Sequence, residues 1–171
     1  MKKVAFAFAL VFFAFTMSSC VHVAYGPSDN ITDAGYVHSA QAAVDSGETI
    51  HFMDKAYFLA NTPKPGHAQT WGAFGTVVGT DKTLYFLFWN RNINAFDVLR
   101  KIPVANMVDV AHISSPFGPG DYVSIEDKDH RFDLFSCYEM HSATSPVDKN
   151  RKLLHYLDAV RNSQQSGQTA Q

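Results

Sequence analysis

Between Glu48 and Phe135 the chain holds no helical period long enough for a buried helix, and this most limits what it can fold into. Seven strand-length segments follow one another: Glu48–Ala60, Trp71–Val78, Lys82–Asn90, Ala95–Ile102, Val104–Ile113, Tyr122–Glu126 and His130–Phe135. Short turn signals separate several of them. Gly79-Thr80-Asp81 joins the second to the third, Pro103 interrupts the fourth and fifth, and Asp127-Lys128-Asp129 joins the last pair. Alternation is clearest in that pair. Val123 and Ile125 oppose Tyr122, Ser124 and Glu126, and Phe132 and Leu134 oppose Arg131 and Asp133. Such a two-residue period marks half-buried antiparallel strands. Leu84–Trp89 departs from it, being apolar on both faces. That pattern predicts either a buried central strand or one whose outer face meets a helix or a partner.

Two helices bracket the strands. Ala34, Val37, Ala40 and Val44 recur near one face of a weak helix over about 33–44, which Ser46-Gly47 would end. After the strands, Ser145-Pro146-Val147-Asp148 combines an N-cap serine, a proline at the first helical position and an acid in the first turn. Val147, Leu153, Leu154, Leu157 and Val160 then form one apolar stripe. Residues 162–171 (NSQQSGQTAQ) are too polar for a core and are expected to form a disordered tail. Asn61–Thr70 (NTPKPGHAQT) and Ser114–Gly120 (SSPFGPG) read as Pro/Gly loops. The predicted class is mainly β, an antiparallel barrel or sandwich of about seven strands capped by a C-terminal α-helix.

The order of these elements resembles the pleckstrin-homology-like (PH-like) superfold, in its GRAM and bacterial branch. Gly47-Glu48-Thr49-Ile50 opens the first strand. Gly75 to Phe86 (GTVVGTDKTLYF) is similar to the branch's Gly-x-apolar-x-x-Thr-x-x-x-Leu-x-Phe pattern, with Gly79 where a branched residue is commoner. Lys101-Ile102-Pro103-Val104 resembles its Lys-Ile-Pro-Leu segment. The resemblance covers residues 47–161, and it implies a binding module.

The first nineteen residues read as a secretory leader. Lys2 and Lys3 precede an apolar run from Val4 to Met17, too short to span a bilayer comfortably. Met17-Ser18-Ser19-Cys20 resembles a bacterial lipoprotein lipobox, with Met17 where Leu is usual. The resemblance implies lipidation at Cys20, which would attach the mature chain to a membrane. Val21–Asn30 then reads as a tether, so that residues 20–46 comprise tether and weak helix. A mature chain of 171 − 19 = 152 residues is one domain with tails. It carries 14 − 2 = 12 basic against 16 acidic side chains. This mild acidity argues against nucleic acid as a partner.

Chemistry-bearing patterns are sparse. With Cys20 lipidated, Cys137 has no disulfide partner and reads as a buried small hydrophobe. Eight histidines show no metal-ligand spacing, so no metal or cofactor is expected. His130 with Asp133, or Glu139 with His141, could pair in space. Asp127 and Asp129 read as solvated turn residues. Lys82, Arg91, Arg100 and Lys101 read as surface charges that blunt strand edges. Lys64 and His67 alone do not make a phosphoinositide site. The expected function is a non-enzymatic envelope lipoprotein whose domain binds a protein or peptide. The contact surfaces would be the sheet edge at Ala95–Ile102 and the two Pro/Gly loops. The alternative, a small-ligand carrier or enzyme with an atypical pocket, would need several of His51, His112, His130 and Asp133 around one cavity.

Overall fold

The computed structural model describes residues 24–64, 67–114, 121–137 and 146–168. Its elements are α1 (Ala34–Ala43), β1 (Ile50–Lys64), β2 (His67–Thr80), β3 (Thr83–Asn90), β4 (Ala95–Pro103), a 3-10 turn (Val104–Asn106), β5 (Met107–Ser114), β6 (Asp121–Asp127), β7 (Phe132–Ser136) and α2 (Pro146–Gln168). All strand pairs are antiparallel, in the order β4-β3-β2-β1-β7-β6-β5. The expected class therefore stands: seven antiparallel strands and a C-terminal helix. The sheet is not closed, because its two end strands, β4 and β5, do not pair with each other.

Long β1 holds the sheet together. It pairs with β2 along its length and with β7 over Tyr57–Asn61, so it belongs to both halves of the folded sheet. The concave side of that fold is the inner core. Phe58, Phe86 and Phe135 pack there with centroids 4.8–6.4 Å apart, among Val77, Leu84, Ile102, Val123 and Ile125. Helix α2 closes this core with Leu153 and Leu157, both fully buried. Asn150 fastens the helix at its start. Its side-chain oxygen accepts from the Cys137 amide at 2.7 Å, and its amide nitrogen donates to the Asp121 carbonyl at 2.8 Å. Pro146 is the first helical residue, as the sequence predicts. Ser145 lies outside the described residues.

Helix α2 also explains Gly79. The Tyr156 ring lies on the backbone of β2, stacked on Phe52 at 5.3 Å, and its hydroxyl donates to the Thr80 carbonyl. A Cβ at position 79 would overlap that ring. A branched residue at position 79 is therefore excluded here by packing.

The outer face of the sheet is covered too. Leu84 and Phe86 of β3 point into the inner core, whereas Tyr85, Leu87 and Trp89 join a second cluster with Tyr36, Ala40 and Val44. The strand apolar on both faces is thus one that meets a helix on its outer side, and the helix is α1. The buried stripe of α1 is Tyr36, Ala40 and Val44, with Ala43 partly buried, while Ala34 and Val37 are exposed. The predicted face was turned by one position because the aromatic ring of Tyr36 supplies its main packing surface.

Four boundaries differ from the sequence reading. Residues 24–30 of the expected tether are fixed to the body, as detailed below. The expected loop at Asn61–Thr70 is the end of a long hairpin, with Lys64 opposite His67. Pro63 is tolerated there because β7 pairs with β1 only as far as Asn61, leaving one flank of β1 as a free edge. The expected pairing of Ala95–Ile102 with Val104–Ile113 does not form. The 3-10 turn at Val104–Asn106 sends β4 to β3 and β5 to β6. The expected disordered tail is helical through Gln168. Ser163 and Ser166 hydroxyls donate to carbonyls of the preceding turn, and Gln164 Nε2 donates to the Asp81 carbonyl at 2.9 Å.

Candidate interaction surface

Strand β4 is an open edge of the sheet, and its register is irregular. Phe86 faces Arg100 and Leu87 faces Val98, so Leu99 is an extra residue with no partner across the ladder. The consequence is visible in the side chains. Phe96 packs in the outer cluster and Ile102 in the inner core. An unbroken strand would place these two on the same face, since side chains alternate with period two. The bulge at Leu99 resets the alternation. It leaves two adjacent apolar side chains in solvent, Val98 at 44 % and Leu99 at 38 % exposure.

The same reset turns Arg100 inward. Its Nε lies 2.6 Å from Asp133 Oδ2, and its Nη2 lies 2.9 Å from Asp127 Oδ2. The guanidinium thus ties β4 to β6 and β7 across the open side of the sheet. Both acids are buried. Burial raises the Asp133 carboxyl above the ordinary carboxylate range, even with Arg100 beside it. Burial pushes Asp127 the same way. There the amide of Arg131, the Arg100 guanidinium and the amide of Asp129 outweigh it and hold the carboxyl below its ordinary value. Asp127 also caps its own turn, accepting from the Asp129 amide at 2.9 Å and the Arg131 amide at 3.0 Å. Arg100 and Asp127 are therefore not the solvated surface charges that the sequence suggests. The polar residues of β4 and the β6–β7 turn gave no sign of a shared site, because their meeting depends on the bulge and on the sheet folding over.

The remaining surface charges fit the expectation better. Lys82 and Arg91 are exposed. Lys101 pairs with Asp45 and lies over the Tyr85 ring at 5.6 Å. The hydrogen bond it donates to Asp45 raises its ammonium above the ordinary value.

The four residues that a pocket reading needs do not converge. His51 is exposed near the start of β1. His112 lies 3.3 Å from Asp121, where β5 ends and β6 begins. His130, in the turn at the other end of β6, pairs with Glu126 at 2.8 Å and not with Asp133. Asp121 and Glu126, the partners of the two histidines, stand five positions apart on β6, about 17 Å of strand. Among the described residues no group of three or more metal-ligating side chains forms. Cys137 is fully buried, and loss of hydration pushes its thiol far above the ordinary range. Cys20, Glu139, His141 and most of the Ser114–Gly120 loop lie outside the described residues. So do the side chains of Lys64 and His67.

The outer face carries one more feature, a groove of about 480 Å³ at the end of β3. Ala24, Phe74, Phe88, Trp89 and Arg91 contribute to its walls. The incoming chain is locked beside it. The Tyr25 carbonyl accepts from Tyr36 at 3.0 Å and from Thr76 at 2.9 Å, and Lys55 Nζ donates to the Asp29 carbonyl at 2.5 Å. The Tyr25 ring meets Phe74 edge-on at 6.0 Å.

No family model matches the chain, and no curated protein matches it. Solved structures similar to it include the hSac2 domain of human phosphoinositide phosphatase Sac2. That match has 8 % identity and a TM-score of 0.48, over 74 % of this chain and 77 % of that one. The Vps36 N-terminal PH domain matches at 13 % identity and TM-score 0.46, over 68 % and 84 %. An inhibited Vav1 structure matches at 9 % and 0.46, over 73 % and 31 %. Likeness at this level assigns no ligand to this chain.

Proposed function

We propose that this chain is a lipid-anchored cell-envelope protein, and that its PH-like domain is a non-enzymatic binding or scaffolding module for a protein or peptide. The observation that carries the module reading is the bulged, open edge of β4. An extended peptide laid along that edge would take up its free main-chain groups and cover Val98 and Leu99. Arg100, clamped by Asp127 and Asp133, fixes the register that such a peptide would read. Only the peptide has to become ordered on binding, which limits the entropic cost.

The anchor reading rests on Lys2, Lys3, the apolar run to Met17 and the Ser18-Ser19-Cys20 close. Val21, rather than Asp, follows Cys20. In a Gram-negative envelope this favours the outer membrane over the inner. A Cys20→Ala variant tests the anchor. The variant is expected to incorporate no labelled palmitate and to leave the membrane fraction; continued incorporation would sink the reading.

A further inference from the structure

We propose that the end of the domain around the β3–β4 turn is held against the bilayer surface. The proposal rests on the anchor reading, and its geometry comes from how close to Cys20 the chain is tied to the sheet. Tyr25 to Asp29 are tied to the sheet by the Tyr36, Thr76 and Lys55 hydrogen bonds. Only Val21, His22 and Val23 separate Ala24 from Cys20. Four residue steps span at most about 14 Å when fully extended. A domain of this length has a radius of gyration of about 14 Å, so such a leash is shorter than the body is wide. An acyl group on Cys20 therefore does not let the body turn over. The side near Ala24 must face the membrane.

Ala24 shares a groove with Trp89, Asn90, Arg91 and Asn92, which places the membrane side at the end of β3. The surface there suits a bilayer interface on independent grounds. Ile93 is 62 % exposed and Phe88 is 40 % exposed, and Arg91 is an exposed cation between them. Apolar and aromatic side chains beside a cation are what the headgroup boundary accommodates. The turn is also fixed rather than loose. Asn90 Nδ2 donates to Asp97 Oδ2 at 2.8 Å, the Asn92 amide donates to Asn90 Oδ1 at 3.1 Å, and Asn94 takes a left-handed φ of 51°. Ile93 is thus presented at a set angle. Strand β4 then leads away from this turn. Leu99 lies four residues beyond Ala95, about 13 Å along the strand, so the edge offered to a partner stays clear of the lipid.

The test uses the full-length, lipidated chain reconstituted in vesicles of phosphatidylethanolamine and phosphatidylglycerol. A nitroxide is placed at Ile93→Cys or, as a reference, at Asp158→Cys. Asp158 is exposed on α2, which closes the opposite, inner face of the sheet. Cys20 is acylated and Cys137 is buried, so neither competes for label. With the protein floating on the vesicles, the label at 93 is expected to be several-fold less accessible to a water-soluble nickel chelate than the label at 158. It is also expected to be more accessible to oxygen. Flotation with equal nickel accessibility at both sites would overturn the orientation while leaving the anchor standing. Failure to float would overturn the anchor, and the orientation with it.

Discussion

Replacing Arg100 by alanine removes the cation that pairs with both Asp127 and Asp133. The side chains are 17 %, 11 % and 5 % exposed respectively, so the pairs are largely but not wholly shielded from water. Breaking a fully buried pair typically costs 3–5 kcal/mol, because the remaining charge is left uncompensated. Residual exposure of Arg100 reduces this, and a loss of about 2–3 kcal/mol at pH 7 is expected. For a domain of this size that corresponds to a fall in Tm of about 6–12 °C. Lys101→Ala is the built-in comparison. Its pair with Asp45 is 41 % and 53 % exposed, and its loss should cost less than about 1 kcal/mol.

The pH dependence carries the sign of the explanation. Asp133 has a raised carboxyl in the folded protein, so its ionisation opposes folding as pH rises through that value. Asp127 has a lowered one, and its contribution is present above the ordinary carboxylate range and lost on acidification. Without Arg100 both shift upward. The penalty of the variant is then largest near neutrality and shrinks as pH falls into the carboxylate range, where Asp133 takes up a proton. Urea denaturation of the chain from Val21, at pH 7 and near pH 4.5, measures this. An added Asp133→Asn should recover part of the loss at pH 7. The reasoning fails if Arg100→Ala costs no more than Lys101→Ala, or if its penalty grows on acidification.

Two further substitutions probe how α2 closes the inner core. Gly79→Ala should cost about 1–3 kcal/mol in urea denaturation through overpacking against the Tyr156 ring. Tyr156→Ala should make the same change nearly neutral, and an equal cost in both backgrounds would contradict the packing account. Asn150→Ala leaves the Cys137 amide and the Asp121 carbonyl without their partner. A loss of about 2–4 kcal/mol is expected, with faster reaction of Cys137 with a thiol reagent; unchanged thiol protection would count against Asn150 as the fastening point.

Much of the fold was legible because its signals are local. Period-two alternation marked β6 and β7 as strands, and the Ser-Pro-x-Asp start marked α2. In β7 the faces are the reverse of the expected ones, with Asp133 and Phe135 buried and Phe132 exposed, because Arg100 pairs with the buried carboxylate. The two apolar faces of Leu84–Trp89 required a cover on each side, and α1 and α2 supply them. What the sequence hid depends on contacts between distant segments. The Pro-rich stretch at 61–70 continues a hairpin because one flank of β1 is free there. Residues 24–30 look like a tether by composition, and hydrogen bonds from Lys55, Tyr36 and Thr76 fix them. Ser163, Gln164 and Ser166 carry no apolar stripe, yet their side chains bond backbone carbonyls and extend the helix. The bulge at Leu99 leaves no trace in composition. It shows only in the parity of Phe96 and Ile102, once each is known to lie in a different core.

The central claim is that the open β4 edge receives a protein or peptide partner. A photoreactive amino acid at Val98, in the full-length chain in its own envelope, tests it most directly, with the same group at exposed Lys152 on α2 as reference. The account predicts a discrete crosslinked species from position 98, absent from position 152 and lost when Leu99 is replaced by Lys. No crosslink at 98, or equal crosslinking at both positions, would contradict it.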